Sequence, residues 1–163
     1  MAATSKKQPE ATRAIDLYEF EGTDVYQEGD ERARLRGYFP LTPGTPNGTD
    51  AGAEDLMLVS MEIDPGDHLP SHRDSNEELL VVIAGTVEAT VGDETIPLEA
   101  GQCAIVPEME PHGIANAGDE PARIIGVFPD TELTATFEET MQPFGTTDVT
   151  IGGETPKTDR ESE

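Results

Sequence analysis

From residue 55 to residue 128 the chain is cut into short apolar or alternating runs, each closed by a turn signal. Residues 55–64, DLMLVSMEID, alternate: Leu56, Leu58 and Ser60 face one way, Met57, Val59, Met61 and Ile63 the other, and Pro65-Gly66 ends the run. Residues 78–84, ELLVVIA, are apolar on both faces, which predicts burial on both, and Gly85 turns the chain. TVEATV at 86–91 alternates up to Gly92-Asp93, and 95–98 runs to Ala100-Gly101. The runs 103–106, 112–116 and 123–128 follow, the last two separated by Gly118-Asp119. Short strands at this regular spacing argue an all-β antiparallel sandwich or barrel. An immunoglobulin-like sandwich has no support, because tryptophan and a cysteine pair are both missing. Only 134–141 reads as locally helical, and weakly.

The 163 residues suit one domain, placed at 14–144. Residues 1–13 are polar and small and are expected to be disordered, and the Gly/Thr/Asp/Glu-rich stretch 145–163 is expected to be an acidic flexible tail. Residues 41–53, LTPGTPNGTDAGA, are loop chemistry throughout. The single cysteine, Cys103, forbids an internal disulfide and is expected in the core. No apolar run approaches the ~20 residues a membrane helix needs, so no membrane role is expected. The N-terminus has no apolar h-region, which points to a cytoplasmic protein.

Charge narrows the partners. There are 34 acidic and 10 basic side chains, a formal net charge of −24, and the only lysines are Lys6, Lys7 and Lys157 near the ends. The acids are dispersed, whereas an interaction tail would mass them in one block. Dispersal suits a whole acidic surface in molar salt, where a Debye length of about 3 Å screens self-repulsion. The rival reading is an acidic surface for a basic partner. Nucleic acid is excluded for want of a basic stripe.

The chain has three histidines, His68, His72 and His112. His72 and Asp74 are two apart, so on an extended segment they share a face. Ser75-Asn76 can turn the chain, after which Glu78 opens the apolar run ELLVVIA. A carboxylate there is costly unless something pairs with it, and a metal ion is an efficient partner. His112 opens a later run after the turn 107–111. Two imidazoles and two carboxylates make a mixed nitrogen and oxygen site.

These residues carry a family resemblance. Gly66-x5-His72-x-Asp74-x3-Glu78-x6-Gly85 resembles the first motif of the cupin superfamily, with Asp74 where a second histidine usually stands. Gly101-x5-Pro107-x-Met109-x2-His112-x3-Asn116 resembles the second, with Met109 where glycine is usual. The motifs lie in order, about 15 residues apart. The resemblance covers 56–128 and implies a single jelly-roll β-barrel with one divalent metal ion inside. It implies His72, Glu78 and His112 as ligands, with Asp74 carried over by position. Two carboxylates favour Fe(II) or Mn(II), with Ni(II), Co(II) and Zn(II) also accommodated. Alternatively Asp74 holds His72 or His112 by its ring N–H, or the barrel is a degenerate cupin whose polar residues bond one another without metal.

Two further residues, His68 and Arg123, lie near these motifs. His68 is expected at the rim. His72, Asp74, His112 and Arg123 are spaced as in 2-oxoglutarate oxygenases, but Ile125 stands where those enzymes have Ser, and Arg123 is expected to pair with surface acids. The expected function is metal-dependent binding or conversion of a small organic molecule, with dioxygenase-like or isomerase-like chemistry, by a homodimer. The alternative is a non-enzymatic sensor or storage module. No general base can be assigned when every titratable candidate is a ligand; Glu77 should point away.

Overall fold

The computed structural model describes residues 14–18, 21–42 and 53–153. They form twelve strands and no helix, so among them no helix is long and apolar enough to cross a membrane. The strands are β1 (Thr23–Gln27), β2 (Arg34–Tyr38), β3 (Met57–Ile63), β4 (His68–Asp74), β5 (Glu78–Ala84) and β6 (Thr86–Val91). They continue as β7 (Glu94–Glu99), β8 (Cys103–Val106), β9 (His112–Ala115), β10 (Ala122–Phe128), β11 (Glu132–Gln142) and β12 (Thr146–Gly152). Every pairing is antiparallel, in the order β7-β6-β9-β4-β11-β1-β2-β3-β10-β5-β8, with β12 on β11. The result is a nearly closed barrel of jelly-roll type. Pro97, which cannot donate to a ladder, sits on the terminal strand β7.

The alternation in 55–64 becomes the inward and outward faces of β3. Met57, Val59, Met61 and Ile63 are buried, and they meet Leu80, Val82, Ile124 and Phe128 in one core cluster. β5 departs from its expectation: Leu80 and Val82 are buried, but Leu79 and Ile83 on its other face are exposed.

Three readings are corrected. Residues 134–141 belong to β11, not to a helix: Leu133, Ala135 and Met141 point into the core. Pairing with β12 along one edge and with β4 and β1 along the other satisfies a backbone that local propensity left open. The stretch expected as a tail from 145 starts with β12, whose Val149 is buried; the expected tail 1–13 and residues 154–163 lie outside the described residues. Cys103 is exposed, because it faces outward from β8.

Candidate metal centre

Strand register assembles the centre. β4 lies between β11 and β9, and Phe137, His72 and His112 fall in one cross-strand row. The His72 ring stacks on Phe137 at 4.8 Å between centroids and lies 4.1 Å from the His112 ring. Two residues on, Asp74 shares the inward face of β4. Glu78 enters from β5 across the barrel. All four side chains are buried.

The histidines are oriented by their own chain. His72 Nδ1 donates to the Pro70 carbonyl at 2.9 Å, and His112 Nδ1 donates to the Glu110 carbonyl at 2.9 Å. A ring whose Nδ1 is spent on a carbonyl offers Nε2 to a metal, which fixes tautomer and direction together. His72 Nε2 lies 3.6 Å from Asp74 Oδ1 and His112 Nε2 lies 3.0 Å from Asp74 Oδ2. His72, Asp74 and His112 present one ligand atom each, all within 4.8 Å of one another. Ligands ~2.1 Å from a shared ion are separated by up to about 4.2 Å, so small side-chain movements close this group on a cation.

Glu78 stands differently. Its Oε1 is 3.2 Å from His112 Nε2, yet it lies outside the 4.8 Å group. Asp74, carried over by position alone, is drawn more tightly into the centre than Glu78. Space for the Glu78 carboxylate comes from Gly126 on β10, where a Cβ would collide with Oε2. Sequence reasoning passed over Gly126. The available signal was a lone glycine inside the apolar run RIIGVF, which often marks a close approach.

Electrostatics favour a cation here. Burial pushes the Glu78 carboxyl up, aided by the Asp74 charge and opposed by the hydrogen bond to His112. Burial would also raise Asp74, but hydrogen bonds to His112 and His72 prevail and hold it well below the usual carboxylate range. Burial would lower His112, but Asp74 and Glu78 outweigh it and push its pKa up to about 10. The described ion pairs of Asp74 and Glu78 are to histidines alone. Two buried carboxylates whose ion pairs among the described residues are to histidines suit a divalent ion.

The centre opens on a cavity of about 80 Å³, enough for several waters or a small group. Its walls are apolar, with Phe39, Phe128, Phe137 and Phe144 among them, and His72, Asp74 and Glu78 supply its polar side.

The remaining candidates lie elsewhere. His68 is half-buried, 3.8 Å from Asp30, and outside the metal-ligand group. Arg123 bonds Glu62 at 3.1 Å and covers the Tyr18 ring at 4.3 Å, as the surface reading expected. Glu77 is exposed. Met109 has φ 63°, so the left-handed geometry that favours glycine is retained at a methionine.

Comparison with known proteins follows the same lines. The family described as Cupin domain matches residues 59–128. The polyketide synthase CurC of Streptomyces cyaneus is 32% identical over 114 residues, 69% of this chain and 66% of CurC, so the match spans just under two thirds of that relative. Among solved structures, a predicted oxalate decarboxylase from Thermotoga maritima superposes with a TM-score of 0.59 at 15% identity, covering 72% of this chain and 98% of that one. The polyketide cyclase RemF of Streptomyces resistomycificus superposes with a TM-score of 0.56 at 20% identity, covering 73% of this chain and 80% of that one. Motifs, barrel and centre agree with these comparisons, and the chain belongs to the cupin superfamily.

Proposed function

We propose that this cupin holds one divalent metal ion through His72 Nε2, His112 Nε2 and the Asp74 carboxylate, and uses it to bind and convert a small oxygenated organic molecule of the polyketide type. The observation that carries the reading is the convergence of those three ligand atoms, within 4.8 Å of one another, on the polar side of an apolar cavity. Two histidines and one carboxylate with open positions suit Fe(II), and Mn(II) is the next choice. The substrate class is suggested by the likeness to CurC, named as a polyketide synthase, and to RemF, named as a polyketide cyclase.

When bound, the ion supplies Lewis acidity toward a carbonyl or phenol oxygen. The chain's own residues do the rest. The phenylalanine walls exclude water and present aromatic faces to a small apolar part of a substrate. His72 and His112 keep their Nε2 atoms aimed because their Nδ1 protons are tied to carbonyls. Glu78 touches His112 from outside the tight group and lines the cavity, so it is the group available to hold or move a proton at its Oε atoms. Intramolecular ring closure of a poly-carbonyl chain needs a proton moved between carbon and oxygen beside a polarised carbonyl, and this set provides both.

The test is metal analysis of protein purified without chelator or metal-affinity resin. Apo protein is then loaded anaerobically with Fe(II), Mn(II), Ni(II), Co(II) or Zn(II), and each form is mixed with linear poly-carbonyl compounds and polyphenols. One metal per chain and metal-dependent consumption of a compound are expected. Fewer than about one metal per ten chains under all loadings would sink the metal reading. Metal with ligand binding but no turnover would leave a sensor or storage module.

A further inference from the structure

We propose that Phe137 governs both how His72 meets the metal and which substrates reach it: its ring clamps the His72 imidazole, and the same side chain forms the threshold of the cavity. The inference rests on the metal reading above and adds to it a positioning and specificity-determining residue on β11.

The strand itself puts Phe137 there. Leu133 and Ala135 are buried on the inward face of β11, and Phe137 continues that face two residues on. It is the last residue of β11 that β4 holds, directly opposite His72. Beyond it the strand bulges. Pairing with β12 breaks off after Thr136, opposite Asp148, and resumes at Met141, opposite Thr146, so five steps along β11 oppose two along β12. On its other edge β11 passes from β4 to β1 within the same stretch. A bulge re-aims a side chain and ends regular pairing, which suits the margin of a binding site.

Phe137 and His112 flank His72 from opposite sides, because β4 lies between β11 and β9. The His72 and Phe137 rings are 20° from parallel, with 4.8 Å between centroids. His72 needs this support more than His112 does. His112 Nε2 has carboxylate oxygens at 3.0 Å and 3.2 Å, whereas the Asp74 oxygen beside His72 Nε2 is at 3.6 Å, beyond hydrogen-bond reach. That leaves the Nδ1 bond to the Pro70 carbonyl, and a ring held by one hydrogen bond can still tilt about it. A flat aromatic face alongside stops the tilt and keeps Nε2 aimed at the ion.

The same ring stands where the cavity meets solvent. The described residues that line the cavity are buried except for Phe137, Phe144 and Ile151, which are half-buried. They lie on β11, on the turn after it and on β12, so this hairpin frames the opening. A cavity of about 80 Å³ takes in only a small part of an organic substrate. The remainder stays at the opening, against these three apolar side chains. The geometry therefore selects a substrate with a small oxygenated end on a larger apolar body. Of the three residues, Phe137 is the one paired with the strand that carries His72 and Asp74.

Anaerobic titration of Fe(II), Mn(II) and Zn(II) into the metal-free full chain tests the clamp. Phe137→Ala should weaken the retained ion by about tenfold or more, the loss typical of a group that orients a ligand. Phe137→Leu keeps apolar cover and loses the ring, so it should show the same loss and serves if Phe137→Ala fails to fold. Phe137→Tyr should restore affinity to within about threefold of the wild type, because the stacking face returns. Ile151→Ala, two strands from β4, should bind the ion as the wild type does. Acetylacetone and dibenzoylmethane, a slim and a broad dicarbonyl, test the threshold on protein saturated with the ion. Phe137→Ala and Ile151→Ala should each raise affinity for dibenzoylmethane relative to acetylacetone by about tenfold.

Wild-type metal affinity in Phe137→Leu would overturn the proposal, as would an unchanged preference between the two dicarbonyls. So would an equal loss of metal in Ile151→Ala, which would mark a general loosening of the barrel. If the wild type bound no ion, the metal reading would fall, and the metal-free protein would decide the clamp by itself. Heteronuclear NMR should then show the His72 Nδ1 proton exchanging about tenfold faster in Phe137→Leu than in the wild type or Phe137→Tyr. Equal exchange rates in all three would overturn the hold on His72.

Discussion

At the scale of single residues, the centre is built by short-range geometry. Each histidine bonds the carbonyl two residues before it, so local backbone aims both rings. The motif residues were legible because their spacing is set by strand period and turn length. Glu78 was legible as buried, but its separation from the tight group was not, since that depends on Gly126 arriving from β10. Asp74 is the residue to test. Held 3.0 Å and 3.6 Å from the two Nε2 atoms, it should act as a ligand, and Asp74→Ala should weaken metal binding more than about 100-fold. A loss of only about 10–100-fold, measured by anaerobic titration of Fe(II) or Mn(II), would make it a positioning partner of the histidines.

His112 makes a pH prediction. Its pKa, pushed up to about 10 by Asp74 and Glu78 against the effect of burial, keeps it protonated in metal-free protein at pH 8. A metal takes the Nε2 lone pair, so the proton must leave. Raising pH therefore favours binding, about tenfold per pH unit below that pKa. Calorimetry in buffers of different ionisation enthalpy should show about one proton released per metal, and buffer-independent heats would refute this. Met109 makes a stability prediction. It is 47% exposed and sits at φ 63°, with its N–H donating to the Asp74 carbonyl. Met109→Gly should relieve left-handed strain at small packing cost, stabilising the fold by about 1 kcal/mol, read from the urea midpoint.

At the scale of elements, legibility followed amphipathic pattern. β3, β5, β6 and β10 declared themselves because strong alternation or dense branched side chains lay between clear turns. β1 and β2 precede the first run singled out, and Arg34 and Arg36 interrupt the apolar signal of β2. β11 carries Ala, Glu and Met, which favour helices locally; only the neighbours β4, β1 and β12 make an extended chain the better solution. β12 was masked by its Thr, Gly and Asp content, although Val149 is 3% exposed and packs in the core. That difference is testable. Val149→Asp should destabilise the protein by about 3 kcal/mol or more, since it buries an unpaired carboxylate in place of a core side chain. In a flexible tail the same change would leave the denaturation midpoint where it was.

At the scale of the whole molecule, charge is the dominant fact. Arg32, Arg34, Arg36 and Arg123 each pair with an acid, and the lysines sit at the sequence ends, so most of the 34 acids have no cation to meet. Such pairs are largely exposed and contribute little each. The folded barrel therefore works against its own field, while the unfolded chain spreads the same charge over a larger volume. Salt relieves the folded state more. Simple screening acts mainly up to about 0.1–0.2 M, where the Debye length has already fallen to about 8–10 Å, comparable with the spacing of surface charges. A surface suited to molar salt should gain stability well beyond that point. The melting temperature should rise between 20 mM and 200 mM KCl and keep rising to 2 M, with the metal-loaded form following the same trend from a higher base. Measuring both forms separates surface charge from the centre, because the ion neutralises Asp74 and Glu78 locally and leaves the outer acids untouched. A curve that levels off at 200 mM would retain the self-repulsion and remove the molar-salt reading, and a flat curve throughout would remove both.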